Sequence, residues 1–435
     1  MDEPGGKVSA SSQNHRALKY SDAREITEVV YEPATDGKDQ LRYVAGMDAI
    51  ELHVLGNDAR CAIDRKGGRM YKTIHLLMAV ALLTPMAVAR IQKPQAQERK
   101  PLDIYYVDTE GGKAVLFVSP TGETMLYDTG TGGDGNRDLD RILAVIKAAN
   151  LPIEQLDHVI VSHYHGDHAG NAAALADKLP IRNFYDHGGW TVELQTNRAA
   201  AFNAYRPIRE KAHVMVPKPG ARIPISDVDV TVVANAGELI SSPVAGMPGA
   251  GTPNSLCRES EPKVQDPTPE NSYAMGMVIK YGNFRMLDLS DLTWNQEKDL
   301  VCPNNLLGTN FDVYNTTRHG TDFAGNRVLV HAARPRVAVM NNSPRKGGTP
   351  DTFKIVRSSP GLLDFWQLHY SENVGKETNS ADSFIANMDS ATTNHPAHFI
   401  KLSARTDGSF TVTNERTGFS KEYPASKAGV AEAKK

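Results

Sequence analysis

The sequence lacks a long basic block after residue 90, and its formal net charge is −3 over 435 residues. Strong non-specific nucleic-acid binding needs a basic surface, so this composition disfavours a polyanion as substrate. An internal repeat and a P-loop are also missing. No Gly-x-Ser-x-Gly sequence occurs, which argues against a serine esterase. The hydrophobic content of 40% is enough for one large domain or two.

A sustained apolar period is absent from residues 1–69, which are polar and mixed in charge. We therefore predict no domain there. A basic segment at 65–72 and an apolar run at 74–83 follow, and an Ala-Val-Ala sequence ends at Ala89. This is the order of a secretory signal.

We predict that Met70 is the true start, that 70–89 is a signal peptide, and that the protein is exported to the periplasm or the medium. Residues 1–69 would then be non-native or disordered upstream sequence, and 90–101 a polar leader. A stable membrane span is disfavoured because the apolar run is shorter than the ~20 residues that a span needs. A buried core helix is the remaining alternative.

Three histidines and an aspartate lie within six residues, directly after an apolar strand-like run at 159–161. They are His163, His165, Asp167 and His168. Imidazole nitrogens and carboxylate oxygens are preferred zinc ligands. The alternative is a surface loop that happens to be rich in histidine. Because four specified positions coincide by chance only about once in a thousand such chains, the segment predicts a metal site.

The surrounding pattern predicts a layered α/β body. A strand at 102–107 and a hairpin at 114–127 precede a helix from Arg137 to Ala149. The histidine-bearing strand follows, then a helix from Ala172 to Lys178 and further strands to residue 340. Residues 236–271 are rich in Pro, Gly and Ser, which is typical of a functional flap or a disordered insert.

The order of these signals resembles the metallo-β-lactamase-fold superfamily. The matching pieces are Leu-Tyr-Asp-Thr-Gly at 126–130, His-x-His-x-Asp-His at 163–168, Ser-Asp at 290–291 and Arg-His-Gly at 318–320. The last piece resembles competence-type DNA-uptake proteins, and quorum-quenching lactonases share the histidine element. The resemblance implies a four-layer αββα sandwich over 102–344, with a C-terminal extension packed on the core at 345–435.

The resemblance also implies two zinc ions. It places His163 and His165 on the first ion, Asp167, His168 and His319 on the second, and Asp291 on both. Asp128 would support the ligand loop.

The chain departs from the family at two positions near these ligands. Asn235 stands where the family has another ligand for the first zinc, and His187 either supplies that nitrogen or caps a turn. Arg318 either holds an anionic substrate group or is a solvated loop charge. We also predict that Asn271 contacts the substrate.

Two zinc ions bridged by a hydroxide would provide a nucleophile near neutral pH, with Asp167 and Asp291 as the catalytic carboxylates. We predict hydrolysis of a small carboxylic ester or lactone, such as an N-acyl-homoserine lactone in quorum quenching. Phosphodiester hydrolysis of the nuclease type is the alternative, and a non-catalytic metal-stabilised binding module is the least favoured. Cys257 and Cys302 are either a disulfide or two unrelated thiols. The oligomeric state is not predicted.

Overall fold

A computed structural model describes residues 28–32, 40–45, 48–53 and 100–426, without 152–153, 190, 192, 194–198, 260–261, 264–268 and 390–396. The predicted signal peptide lies outside the described residues, so export stays a prediction. The chain forms two compact units, Met1–Pro94 and Gln95–Lys435. The strands of the first unit form one antiparallel sheet and are β1 (Glu28–Glu32), β2 (Gln40–Ala45) and β3 (Asp48–His53).

The second unit contains two nine-stranded sheets. The strands of the first sheet are β4 (Leu102–Tyr106), β5 (Val115–Val118), β6 (Thr124–Tyr127), β7 (Leu156–Ile160), β8 (Ile181–Tyr185), β9 (Val214–Met215), β21 (Ile400–Ala404), β22 (Phe410–Asn414) and β23 (Ser420–Tyr423). Their order is β23-β22-β21-β4-β5-β6-β7-β8-β9. Strands β6 to β9 run parallel to one another.

The strands of the second sheet are β10 (Arg222–Ile225), β11 (Val228–Asn235), β12 (Glu238–Leu239), β14 (Gly276–Tyr281), β15 (Phe284–Asp288), β17 (Val313–Asn315), β18 (Val337–Met340), β19 (Asp364–His369) and β20 (Ile385–Asn387). Their order is β10-β11-β14-β15-β17-β18-β19-β20, with β12 paired to β11. Within this sheet, β15, β17, β18, β19 and β20 run parallel to one another. A separate short pair is formed by β13 (Thr252–Pro253) and β16 (Asn304–Asn305).

The helices cover the outer faces of the two sheets. They are α1 (Arg137–Ala148), α2 (Gly166–Ala169), α3 (Ala172–Lys178), α4 (Ala200–Arg209), α5 (Trp294–Asp299), α6 (Arg327–Ala333) and α7 (Pro350–Arg357). One apolar cluster joins α1, α3 and α4 to the first sheet, and another joins α6 and α7 to the second. A third cluster lies between the sheets. The predicted four-layer αββα sandwich is confirmed.

Strand burial follows from where each strand lies in these layers. The central strand β15 is buried at every position, because it has neighbours on both edges and both faces. Along β21 and β22, buried side chains alternate with partly exposed ones, as expected for strands with one solvent-facing side. Phe284 and Phe410 meet edge to face between the sheets, with ring centroids 5.6 Å apart. Burying each such ring contributes roughly 1.5–3 kcal/mol.

The C-terminal region forms part of both sheets. Strands β19 and β20 extend the parallel part of the second sheet, and β21 to β23 extend the first sheet beyond β4. Strand β4 pairs in antiparallel register with β21, with Asp103 opposite Ser403. The predicted boundary at residue 344 therefore lies between strands that belong to the same sheet.

Part of the glycine- and proline-rich segment at 236–271 is packed against the second sheet. Ile240, Val244 and Met247 are buried in the apolar cluster of the second sheet, and a disulfide joins Cys257 to Cys302. The disulfide alternative from the sequence is thus correct. The described residues contain no helix long and apolar enough to cross a bilayer.

Candidate metal centre

The predicted ligand loops all leave the carboxyl ends of strands at one edge of the sandwich. Asp128 follows β6, the histidine loop follows β7, and Asp291 and His319 follow β15 and β17. Ligands commonly bind at this edge of parallel sheets. Asp128, Ser290, Arg318 and His319 have φ angles of 66°, 50°, 52° and 57°. Such left-handed backbone is costly for residues other than glycine and concentrates at functional sites.

Four side chains converge on one point: Asp167, His168, Asp291 and His319. Nε2 of His168 lies 3.3 Å from Nε2 of His319. Oδ2 of Asp167 lies 3.3 Å and 3.2 Å from those two nitrogens. Oδ1 of Asp291 lies 3.2 Å and 3.4 Å from them. Ligand atoms at 2.0–2.1 Å from a tetrahedral ion lie about 3.3–3.4 Å apart. The four residues therefore fit one metal ion of zinc size.

The charges of the cluster also favour a cation. Burial by itself would raise the pKa of Asp291, but His168 and His319 hold it well below its usual value. Burial would lower the pKa of His168, yet Asp291, Asp167 and Asp128 raise it well above its usual value. Oδ1 of Asp291 is buried and accepts no hydrogen bond from the described residues. The carboxylates thus stabilise positive charge at the point where the four ligand atoms meet.

Hydrogen bonds at Nδ1 orient the imidazole rings of His168 and His319. Nδ1 of His168 lies 2.8 Å from Oδ2 of Asp128, which also accepts from Ser162 Oγ at 2.9 Å. Nδ1 of His319 lies 3.2 Å from the carbonyl oxygen of Asn341. Each Nδ1–H donates to an oxygen, so each ring would present its Nε2 lone pair to a bound metal ion. Asp128 therefore contacts both the backbone of the histidine loop and the ring of His168.

His163 and His165 form a second, separate pair. Nε2 of His163 lies 3.0 Å from Nδ1 of His165. The opposite nitrogens contact Ser162 Oγ at 3.0 Å and Glu193 Oε1 at 3.0 Å. Because the carboxylate can only accept, Nε2 of His165 donates and Nδ1 keeps its lone pair. Burial, together with His168 and His165, holds the pKa of His163 well below its usual value. Both rings present nitrogens to a common point, as the ligands of a first ion would.

His187 lies outside the four-residue cluster. Its Nε2 is 2.7 Å from Oε1 of the buried Glu270, which also accepts from the backbone N–H of Tyr164 at 2.9 Å. Asn235 donates to the carbonyl oxygens of Asp186 and Pro217 at 3.2 Å and 2.8 Å. Asn235 thus holds neighbouring loops together, and whether His187 binds metal stays a prediction.

A cavity of about 510 Å³ opens over the metal-ligand cluster. Its lining includes Asn271 and Arg318, the two residues predicted to contact substrate, together with Phe323 and Lys346. Nζ of Lys346 contacts Oδ2 of Asp167. The cavity combines two cations, an amide and an aromatic ring beside the ligand cluster.

Sequence reasoning missed Glu193, Glu270 and Lys346. The two glutamates lie in stretches without periodicity, and only their contacts with His165 and His187 distinguish them. The one signal near Lys346 is the pair of glycines that follows it at 347 and 348. That pair predicts a turn but no contact with Asp167, 179 residues earlier.

Comparison with known proteins agrees with this architecture. Residues 108–253 match the family model of the metallo-β-lactamase superfamily. A search of the curated proteins gave no match.

Three of the solved structures with some similarity to this chain are a metallo-β-lactamase-fold protein, a metallo hydrolase and a diiron β-hydroxylase. The metallo-β-lactamase-fold protein YhfI from Bacillus subtilis is 15% identical with a TM-score of 0.37, over 61% of this chain and 96% of its own. Igni18, a metallo hydrolase from Ignicoccus hospitalis, is 13% identical with a TM-score of 0.35, over 62% of this chain and 97% of its own. The diiron β-hydroxylase CmlA from Streptomyces venezuelae is 14% identical with a TM-score of 0.31, over 70% of this chain and 60% of its own.

The family resemblance rests on the matched region, which contains the histidine loop, and on the two stacked sheets that carry the ligands. Residues 108–253 are thus similar to the metallo-β-lactamase superfamily, and the two stacked sheets with helices on their outer faces have the layered αββα arrangement that the sequence predicted.

Proposed function

We propose that this protein is a zinc-dependent hydrolase of small carboxylic esters or lactones, with an N-acyl-homoserine lactone as the specific candidate. The observation that supports this proposal is the convergence of Asp167, His168, Asp291 and His319, whose ligand atoms lie within 4.8 Å of one another, beside a cavity of about 510 Å³. A zinc ion held there would act as a Lewis acid and would activate a water molecule near neutral pH. His163 and His165 would hold a second ion.

The protein's own groups supply the remaining chemistry. The carboxyl groups of Asp167 and Asp291 line the cavity, and the Asp291 carboxyl group would accept a proton from the attacking water. The same carboxyl group then returns that proton to the leaving oxygen. Asn271, which is buried at the cavity wall, orients the substrate. Asp128 keeps His168 in its ligand orientation.

Export is part of the proposal. The disulfide between Cys257 and Cys302 supports it, because disulfides persist in oxidising compartments and are rare in the cytosol. The measurement is N-terminal sequencing of secreted protein. A mature N-terminus before residue 70 would contradict the predicted signal peptide.

Phosphodiester hydrolysis is the second candidate. Lys346 and Arg318, which line the same cavity as the metal ligands, favour it. Two cationic side chains beside a metal centre would stabilise the negative charge of a phosphodiester at the bond that is cleaved. A carboxylic ester needs no such charge unless it carries an anion of its own.

The test combines metal analysis of the purified full-length chain with a panel of lactones, esters, β-lactams and phosphodiesters. We expect about two equivalents of zinc, with turnover of lactones or esters. Less than one equivalent of bound metal would reject the metal-dependent mechanism. Phosphodiester turnover without lactone or ester turnover would establish the second candidate in place of the first.

A further inference from the structure

The loop of residues 343–348 carries a lysine to the metal-ligand cluster. Its sequence is Ser-Pro-Arg-Lys-Gly-Gly, and it follows β18 at the edge of the second sheet. Nζ of Lys346 contacts Oδ2 of Asp167, on the histidine loop of the other sheet. The side chain is 44% exposed and lines the cavity over the cluster. Lys346 therefore faces both the cluster and the solvent from which a substrate enters.

The position of this lysine is fixed by its backbone. Ser343 Oγ accepts hydrogen bonds from the N–H groups of Arg345 and Lys346, at 3.2 Å and 2.8 Å. The Ser343 N–H donates to the carbonyl of Lys346 at 2.9 Å. Gly347 has a φ of 76°, and a Cβ atom there would lie 1.8 Å from the carbonyl oxygen of His319. Only glycine allows this approach, which locks the loop to the backbone of a metal ligand.

A second cation stands at the rim of the same cavity. Arg318 has left-handed backbone, with a φ of 52°, and directly precedes the ligand His319. Its guanidinium carbon lies 4.9 Å from the ring centroid of Phe323, so the aromatic ring supports the arginine side chain. The chain holds two cations, from two different loops, against one small cavity.

The charge balance indicates what Lys346 does when a metal is bound. Without a metal, the ammonium group neutralises the Asp167 carboxylate. A divalent ion in the cluster takes over that charge, and the lysine is then available to another anion within reach of the cavity. Charge-assisted hydrogen bonds to an ammonium group are about twice as strong as neutral ones. An anionic group on a substrate is the partner that the cavity can admit.

We propose that Lys346, with Arg318 beside it, determines specificity by binding an anionic group next to the scissile bond of the substrate. That group is either a carboxylate on an ester substrate or the phosphoryl oxygens of a phosphodiester. The proposal rests on the proposed hydrolase function and narrows it to substrates that carry an anionic group, which favours an anionic ester or a phosphodiester over a neutral N-acyl-homoserine lactone.

The first test compares the selectivity of variants on matched substrates. They are p-nitrophenyl acetate, which is neutral, mono-p-nitrophenyl succinate, which carries a carboxylate, and bis(p-nitrophenyl) phosphate. We expect Lys346→Met to lower the ratio of kcat/KM for an anionic substrate to that for the neutral one by roughly 10- to 100-fold. Lys346→Arg, which keeps the charge, restores part of the ratio. The anionic substrate with the larger fall identifies which anion the site takes.

Arg345 supplies a matched control in the same loop. Its side chain is 81% exposed and pairs with Glu372 at 2.8 Å, away from the cavity lining. Arg345→Met removes the same charge and should leave the ratio within about twofold of the original. A ratio in Lys346→Met equal to that of the unmodified protein, with metal content unchanged, would overturn the proposal.

A binding measurement separates this proposal from the hydrolase function. Calorimetric titration of the metal-loaded full chain with benzoate, phenylphosphonate and neutral benzamide requires no turnover. We expect Lys346→Met to weaken the binding of an anion about 10-fold or more relative to Arg345→Met. If anions bind through Lys346 but none of the substrates is cleaved, the hydrolase function fails and the anion site stands. If substrates are cleaved but neither anion binding nor selectivity depends on Lys346, the anion site fails and the hydrolase function stands.

Discussion

The carboxylate of Asp128 lies 2.8 Å from Nδ1 of His168, and the opposite nitrogen of that ring lies 3.3 Å from Nε2 of His319. One ring thus connects a fully buried acid to the metal cluster. Because the carboxylate accepts the Nδ1 proton, Nε2 is the ring nitrogen that would bind a metal ion.

Asp128→Asn should weaken metal binding at the four-residue cluster by roughly 10- to 100-fold, which is typical when the partner of a metal-bound histidine is lost. An amide can donate to Nδ1 and then favours the wrong tautomer. Competition with a chromophoric chelator measures the affinity. An unchanged affinity would show that Asp128 supports only the loop backbone, through its hydrogen bond from Ser162 N.

His319→Ala removes a ligand from the cluster and should abolish tight binding of one metal equivalent together with hydrolysis. The three remaining ligands include the carboxylates of Asp167 and Asp291. Without the imidazole of His319, their negative charge is less well balanced. Metal content by mass spectrometry is the readout. His213→Ala, at an exposed histidine bonded to Asn183, is the control and should keep its metal. Full metal content in the His319 variant would remove that residue from the ligand set.

His165→Ala should lose the other equivalent and leave the four-residue cluster loaded. Glu193→Gln tests the orientation of that ring, since an amide accepts less strongly from Nε2–H than a carboxylate does. We expect its first-site affinity to fall by about 10-fold. His187→Ala decides the remaining question about the first site. Unchanged metal content would exclude His187 as a ligand and leave it as the partner of Glu270.

Much of this centre was predictable because its ligands follow strands. Asp128, the histidine loop, Asp291 and His319 each come directly after an apolar run, and parallel strands bring such ends together. The helix from Ala172 to Lys178 was predicted with its observed bounds. Local pattern is enough for these features.

Other parts depend on contacts that no local pattern contains. Lys346 reaches Asp167 from 179 residues away. The anchoring of the segment at 236–271 depends on scattered residues such as Val244 and Met247, which show no period yet are buried. Buried and partly exposed side chains alternate along β21 and β22, but their sequences do not indicate that β21 pairs with β4. These features depend on contacts between residues that are far apart in the sequence.

Glu297 predicts a pH dependence of stability. It is fully buried, and burial raises its pKa from 4.5 to about 7. Between these values the folded state holds a proton that the unfolded state has lost, so stability falls as pH rises from 4.5 to 7. Glu297→Gln should therefore gain stability relative to the original protein, by about 3 kcal/mol above pH 8 and little near pH 4. Urea unfolding across this range measures the difference.

The control for that series is Glu210→Gln, at an exposed glutamate with a weak pairing to Arg206. Its stability should follow the original protein at every pH. A Glu297→Gln curve parallel to that of the original protein would mean that the carboxyl group is ionised in the folded state at neutral pH.

The disulfide between Cys257 and Cys302 closes a loop with a sequence separation of 45 residues. Replacing both cysteines by serine should lower the free energy of unfolding by about 3–4 kcal/mol, because the unfolded chain regains the entropy of that loop. Thermal unfolding with and without reductant measures the loss. Reductant should destabilise the original protein and leave the double variant unchanged. Equal stability of the two oxidised proteins would contradict the prediction.

The pairing of β4 with β21 has a consequence for biosynthesis. Strand β4 lies near the start of the folded body, yet one of its two neighbours ends at Ala404, and Ser403 bonds to Asp103 across 300 residues. While the ribosome is still making the intervening chain, β4 has an open edge of unpaired backbone groups, the kind of surface on which chains aggregate. The first sheet therefore cannot close until β21 to β23 have emerged, and the nascent protein has to reach those strands before it meets another copy of itself.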